Sequence, residues 1–240
     1  MINLKKQSKI LLLVVKSMET IEFEKKTKID EKDAIIIVDV QYDFIPGGAL
    51  PVEGGDLIID EINEMAKKFK KVSRNVILTQ DWHPPGHESF ASSHGKNPGD
   101  KFQTEDGAIG PILWPDHCIQ GTKGAEFHKN LNTDFASAII RKGRNPQVDS
   151  YSAFIENDKK TETGLRGYLK SLMTKRVFIC GLALDYCCYF SAMDAVNFGF
   201  EVYVLVDLTK GIDLPPGNIA RSLENMVNKG IKFANNDSFN

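Results

Sequence analysis

Cysteine is scarce in this chain of 240 residues: four, at positions 118, 180, 187 and 188. Two of them are adjacent, which suits no disulfide framework, so a reduced, cytoplasmic setting is expected. Neither sign of charge dominates. Thirty basic residues face 32 acidic ones, for a net charge of −2. That excludes the basic footprint of a nucleic-acid binder and equally a polyacidic tail. No apolar run approaches the ~20 residues that a membrane-spanning helix needs. Internal repeats are lacking as well. What is present is 42% apolar and 26% charged residues, ordinary values that exclude wholesale disorder. A chain of this length buries roughly 70–75% of its unfolded surface.

Residues 1–32 stand apart from the rest. They are rich in lysine and hold one short apolar run, Ile10 to Val15, too short for the core of a signal peptide. Glu19, Glu22, Glu24 and Asp30 argue against a transit peptide. This segment is expected to be an extension or an added edge strand, and residues 33–240 a single domain. From Asp33 a rhythm sets in. The β-branched run from Ala34 to Val38 reads as a strand buried on both faces. Ile58, Ile62, Met65, Phe69 and Val72 then recur at helical spacing. Further strands are expected at 75–79, 137–140, 176–180, 202–206 and 231–234. Helices are expected at 163–173, 185–198 and 219–227, the last ended by Gly230. The alternation predicts an α/β fold, with a doubly wound, mainly parallel sheet of about six strands and helices on both faces. Residues 82–134, rich in Gly, Pro and His, show little periodicity. A stretch that long without structure of its own points to functional loops.

In such a sheet ligands bind beyond the carboxyl ends of the strands. The chemistry converges there. Asp39 follows the first strand, Asp81 and His83 the second, and Lys142 ends the third. Cys187 follows the fourth, in the first turn of a helix that Asp185 is positioned to cap. A helix N-terminus lowers a thiol pKa, which makes Cys187 the candidate nucleophile. Cys180 and Cys188 read as packing. A carboxylate after an apolar strand is costly without a partner. Asp39 and Lys142 are therefore a pair, either for proton transfer or as a structural salt bridge. All five histidines lie between positions 83 and 128. Asp81, His83 and His117 are of the types that hold a divalent metal.

The residues also carry a resemblance. Ile37-Val-Asp-Val-Gln-Tyr-Asp-Phe44 and Pro46-Gly-Gly-Ala-Leu50 open a series that continues with Thr79-Gln-Asp-Trp-His-Pro84 and Trp114-Pro-Asp-His-Cys-Ile-Gln-Gly121. Lys142-Gly143 and Gly181-Leu-Ala-Leu-Asp-Tyr-Cys187 complete it. In that order they resemble the motif blocks of nicotinamidases, within the isochorismatase-like cysteine hydrolases. The resemblance covers about residues 33–236. It implies hydrolysis of nicotinamide to nicotinate and ammonia, a step of NAD salvage. Asp39, Lys142 and Cys187 would be the catalytic triad, and the N–H groups of Ala183 and Cys187 the oxyanion hole. Phe44, Trp114 and Tyr151 would line the substrate pocket, with simple core packing the lesser reading for Phe44 and Trp114. Asp81, His83 and His117 would hold one divalent metal, with Ser89 or His87 as a fourth ligand. Zinc comes first among metals that suit these ligands, ahead of iron and manganese. The bond between Leu182 and Ala183 would be cis. Cys188 and Leu184 depart from the usual residues at their positions.

The resemblance leaves three matters open. A pyrazinamide-like amide is an alternative substrate. Members of the family are often oligomers, so a homo-oligomer stays open. A thiol redox enzyme using Cys187 and Cys188 is a rival of another class, opposed by the strain of joining adjacent cysteines.

Overall fold

A computed structural model of the chain describes residues 21–239. Among the described residues six strands form one sheet: β1 (Asp33–Val38), β2 (Val76–Asp81), β3 (Ala138–Lys142), β4 (Arg176–Leu182), β5 (Glu201–Lys210) and β6 (Lys232–Ala234). Their spatial order is β3-β2-β1-β4-β5-β6, and every pairing is parallel. The expected α/β sheet is the observed one. The run out from β1 and the return to β4 place a topological switch between these two strands. The crevice for a ligand therefore opens at their carboxyl ends.

Side chains alternate between the two faces of a strand, and two cores follow from that alternation. Ile35, Ile37, Val76, Leu78, Phe178 and Leu205 pack on one side with α1 (Ile59–Val72). Ala34, Ile36, Val38, Ile77, Ile179 and Val204 pack on the other. There they meet α2 (Leu165–Ser171), α3 (Tyr189–Asn197) and α4 (Asn218–Asn228). Helix α1 buries Ile59, Ile62, Met65, Ala66 and Phe69 as one stripe. Its acids, Asp60 and Glu61, sit in the first turn, and Lys70 and Lys71 in the last, as the helix dipole favours. The Phe69 and Phe178 rings meet at 5.1 Å. Truncating either to alanine costs about 3–5 kcal/mol.

Three features differ from the sequence reading. The helix expected from 185 begins as α3 at Tyr189. A wide π-type turn, Leu184–Cys188, precedes it. Asp185 does not cap it. Its carboxylate instead accepts hydrogen bonds from the backbone N–H groups of Ile212 and Asp213 and from the Asn218 amide. Strand β5 runs four residues further than the periodicity suggests, to Lys210, which carries the chain over the site.

The long segment 82–134 is ordered by pairings distant in sequence: His83 with Ile119, Phe90 with Trp114, and Lys101 with Ile112. These satisfy backbone groups that no helix or sheet ladder would. Of the N-terminal extension, residues 1–20 lie outside the described residues. Phe23 bridges in parallel to Phe233 at the β6 edge, and Ile21 is buried against the same core.

Candidate active site

The carboxyl ends of β1 to β4 meet at the crevice. Asp39 follows β1 with a left-handed backbone, φ 47°. Its side chain accepts a 2.6 Å hydrogen bond from the Thr79 hydroxyl, and the same hydroxyl oxygen accepts the Asp39 N–H. Asp81 ends β2 directly opposite Lys142 at the end of β3. Lys142 is fully buried. Its Nζ lies 2.9 Å from Asp39 Oδ2, 2.9 Å from Asp81 Oδ1, 2.8 Å from the Ser150 carbonyl oxygen and 3.5 Å from Cys187 Sγ. Gly181, at φ 105°, is obligatory below the thiol, since a Cβ there would stand 2.2 Å from the Val38 carbonyl oxygen.

The electrostatics follow from dryness and charge. Burial raises the Asp39 pKa; Lys142 opposes this, Asp81 adds to it, and the net shift is upward. Burial alone would lower Lys142, but the Asp39 and Asp81 carboxylates hold it well above its usual range. Burial pushes the Cys187 thiol well above its usual range, although Lys142 pulls the other way. The expectation of a thiol lowered by a helix N-terminus is thus corrected. Desolvation of the charged form outweighs the lysine, and no α-helix begins at the cysteine. Burial and the nearby Asp39 and Asp81 carboxylates thus favour the thiol form of Cys187.

Beside this cluster Asp81, His83 and His117 place three ligand atoms within 4.8 Å of one another, all buried. His83 Nδ1 donates to the Gly143 carbonyl oxygen at 2.9 Å, and His117 Nδ1 donates to that of Pro115 at 2.7 Å. A carbonyl only accepts, so Nδ1 of each ring carries its proton, and in the neutral ring Nε2 is the nitrogen free to hold a cation. These nitrogens face Asp81 Oδ2 at 3.3 and 3.7 Å. Among the described residues the buried His83 Nε2 has no hydrogen-bond partner. Burial would raise the Asp81 carboxyl, but His83 and Lys142 hold it well below the usual range. A carboxylate and two oriented imidazole lone pairs fit a divalent cation. The fourth-ligand candidates stand differently. His87 Nδ1 accepts from the Ser89 N–H and hydroxyl, and its Nε2 donates to the Val148 carbonyl oxygen. Both His87 nitrogens are thereby occupied, and the Ser89 hydroxyl is turned to His87.

A narrow pocket joins the two groups. Phe44, Trp114, Tyr151, Ala183 and Cys187 line it together with Asp81 and His117. The aromatic walls are braced. The Trp114 Nε1–H donates to the Tyr151 hydroxyl at 3.0 Å, which donates on to the Gly110 carbonyl oxygen. The Trp114 and Tyr186 rings meet edge to face at 4.9 Å. Leu182–Ala183 is cis. Cys180 and Cys188 lie in the two cores.

The isochorismatase domain model matches residues 33–237. The nicotinamidase of Acinetobacter baylyi is 45% identical over 201 residues, 83% of this chain and 90% of that protein. A crystal structure of the L. infantum protein PnC1 in complex with nicotinate covers 90% of this chain and 98% of its own. It has 37% identity and a TM-score of 0.77. The pyrazinamidase of Pyrococcus horikoshii in complex with zinc covers 85% and 99%, with 41% identity and a TM-score of 0.69. The chain belongs to the isochorismatase domain family.

Within this family member the structure adds residues that sequence reasoning passed over. Gln41 donates to the carbonyl oxygens of Asp81 and Ala125 and accepts the Asp81 N–H at 2.7 Å. It thereby fixes the backbone of Asp81. Thr79 holds Asp39. Both lie inside the motif blocks, so their position was a signal. Tyr186 and Asp149 also line the pocket. Only adjacency to Cys187 and Tyr151 hinted at them.

Proposed function

We propose that this chain hydrolyses nicotinamide to nicotinate and ammonia, the salvage step that returns the pyridine ring to NAD synthesis. The observation that carries this reading is the Lys142 ammonium, which bridges Asp39, Cys187 and Asp81 beside a pocket with aromatic walls. Relatives named nicotinamidase and nicotinamidase/pyrazinamidase support it, as do homologous structures holding nicotinate and nicotinaldehyde. The substrate class is a small, neutral heteroaromatic carboxamide. A pyrazinamide-like amide is expected to be hydrolysed too.

The chain's own groups supply the chemistry. Asp39, with its pKa raised by burial, takes the thiol proton as Cys187 Sγ attacks the carboxamide carbon. The sulfur's developing charge faces Lys142 at 3.5 Å. The N–H groups of Ala183 and Cys187 receive the tetrahedral oxyanion, and such a donor is worth roughly 3–4 kcal/mol. Asp39 returns the proton to the leaving ammonia, and a thioester remains on Cys187. Water then attacks the thioester carbon, giving its proton to Asp39. The acid leaves, and the thiol is reprotonated. Asp81, His83 and His117 would hold the divalent cation, zinc in our reading, as in the P. horikoshii relative. When bound, it supplies a Lewis acid that orients the substrate's ring nitrogen. Phe44, Trp114 and Tyr151 would clasp the ring. The hydrolase domain would span residues 33–240, with 1–32 an extension, and the enzyme would work in the cytoplasm.

Ammonia release from nicotinamide tests this reading directly. Wild-type protein is expected to release it and Cys187→Ala to release none above background. Equal release by both would refute the covalent route.

A further inference from the structure

Among the described residues that line the pocket, only Leu50 and Ile212 are partly exposed; the others are buried. The mechanism above uses neither. These two side chains therefore form the mouth of the pocket, and the mouth is apolar. Each also packs against both core clusters, so each stands where the two cores meet. Leu50 lies in the segment after β1 and Ile212 just after β5, and both segments are tied down. The Leu50 N–H donates to the Asp43 carbonyl oxygen at 2.9 Å, and the Ala49 N–H to Asp43 Oδ1 at 3.2 Å. Asp43 Oδ2 in turn accepts the Cys118 N–H at 2.7 Å. The Ile212 N–H donates to Asp185 Oδ1 at 2.9 Å, and the Tyr186 hydroxyl donates to the Leu214 carbonyl oxygen. The rim is thus held in place from both sides.

What meets this rim follows from how a substrate ring is anchored. The carboxamide carbon must lie at Cys187, and the ring nitrogen faces the candidate cation site of Asp81 and His117. In nicotinamide these two anchors flank ring carbon C2. The carbon C5 is meta to both the carboxamide-bearing carbon and the nitrogen, so it points away from both anchors. Cys187, Asp81 and His117 are all buried. C5 and any substituent on it therefore face Leu50 and Ile212. Neither side chain can form a hydrogen bond, so a polar group there would lose its water without replacement. A bulky group would have to displace side chains that both cores hold.

We propose that Leu50 and Ile212 are specificity-determining residues, an apolar rim that admits heteroaromatic carboxamides bearing only hydrogen on the ring carbon opposite C2. This rests on the amide-hydrolase reading above and narrows its substrate class. Nicotinamide and pyrazinamide both carry hydrogen at that place and pass the rim. Pyridine carboxamides extended at C5 do not, although their amide group is the same.

The test uses full-length protein supplied with zinc and three amides: nicotinamide, 5-phenylnicotinamide and 2-methylnicotinamide. Ammonia release gives kcat/KM for each, in wild type and in the double variant Leu50→Ala, Ile212→Ala. Wild type is expected to cleave nicotinamide and to discriminate against the 5-phenyl compound. In the double variant the kcat/KM ratio of the 5-phenyl compound to nicotinamide is expected to rise at least about tenfold, the scale that methylenes in an apolar pocket set. Discrimination against the 2-methyl compound, whose substituent points to the floor, is expected to stay as in wild type. An unchanged 5-phenyl ratio overturns the proposal. So does an equal rise for the 2-methyl compound, which would mean that the whole pocket had loosened. Wild type that cleaves the 5-phenyl compound as well as nicotinamide overturns it outright. Wild type that releases no ammonia from nicotinamide overturns the hydrolase reading beneath it, so the two failures are separable. Should the double variant lose its native near-ultraviolet dichroism, Leu50→Ala and Ile212→Ala singly carry the same comparison and the same overturning results.

Discussion

Lys142 Nζ lies 2.9 Å from Asp81 Oδ1, so the cation that faces the Cys187 thiol also grips a carboxylate of the candidate metal site. The other oxygen of Asp81 points to the two histidines. One carboxylate is thereby divided between two functions, and the two halves of the site cannot move independently.

Replacing Lys142 tests that link. Lys142→Met leaves Asp39 and Asp81 buried without their countercharge. Breaking a buried ion pair on one side costs about 3–5 kcal/mol. Urea denaturation is expected to show a loss of that size. Ammonia release should vanish, and metal affinity should change as well. Unaltered metal affinity in a folded Lys142→Met protein would show that the two halves are uncoupled.

Thr79→Val removes the 2.6 Å hydrogen bond to Asp39 Oδ1. That bond stabilises the ionised carboxylate and works against the upward push of burial. Its loss raises the Asp39 pKa further. Asp39 must be ionised to accept the thiol proton, so a higher pKa leaves less of the active form at any given pH. The acid limb of the kcat/KM profile is expected to shift to higher pH. A limb that stays put or moves down would remove Asp39 as the base.

Gly143 lies at φ 66°, and a Cβ there would stand 2.5 Å from the His83 ring. Gly143 also accepts the His83 Nδ1–H. Gly143→Ala is expected to tilt the imidazole and weaken metal binding about 10–100-fold, the usual loss when a ligand's orienting partner is disturbed. Competition with a chromophoric chelator measures it. The same chelator should lower the thermal midpoint of wild type, because a cation at 100 times its Kd contributes roughly 2.7 kcal/mol.

Asp185 ties the 212–218 segment to the turn that carries Cys187. Ile212 also lines the pocket. Asp185→Ala strands two backbone N–H groups, each costing about 1–3 kcal/mol if left unsatisfied. Stability is expected to fall by about 2–4 kcal/mol. KM for nicotinamide should rise more than kcat falls, because the variant loosens a wall and spares the reacting groups. A fall in kcat at constant KM would contradict this.

The strands were legible because β-branched runs such as Ala34–Val38 suit burial on both faces of a sheet. Helix α1 was legible because Ile62, Met65 and Phe69 repeat at its period. The candidate site was legible in part for a topological reason. Parallel strands put their carboxyl ends on one edge, so Asp39, Asp81 and Lys142 were bound to meet. The segment 82–134 was not legible. Its order comes from bridges such as Phe90 to Trp114, contacts whose partners lie far apart in sequence. The helix start at Asp185 was misread for the same reason, since the α-helix begins at Tyr189. Asp185 looked like a local cap, but its hydrogen-bond partners lie 27 to 33 residues away.

By itself, then, the sequence determined the α/β class, the parallel sheet and the set of reactive side chains, since these depend on periodicity and residue chemistry. Tertiary structure alone decided their states. Whether the thiol or the thiolate of Cys187 is favoured, which nitrogen of His83 and His117 faces Asp81, and where the Asp185 carboxylate finds its donors all depend on burial and on neighbours brought together by folding. Desolvation and charge–charge interaction act through space, and no local pattern in the chain records their balance.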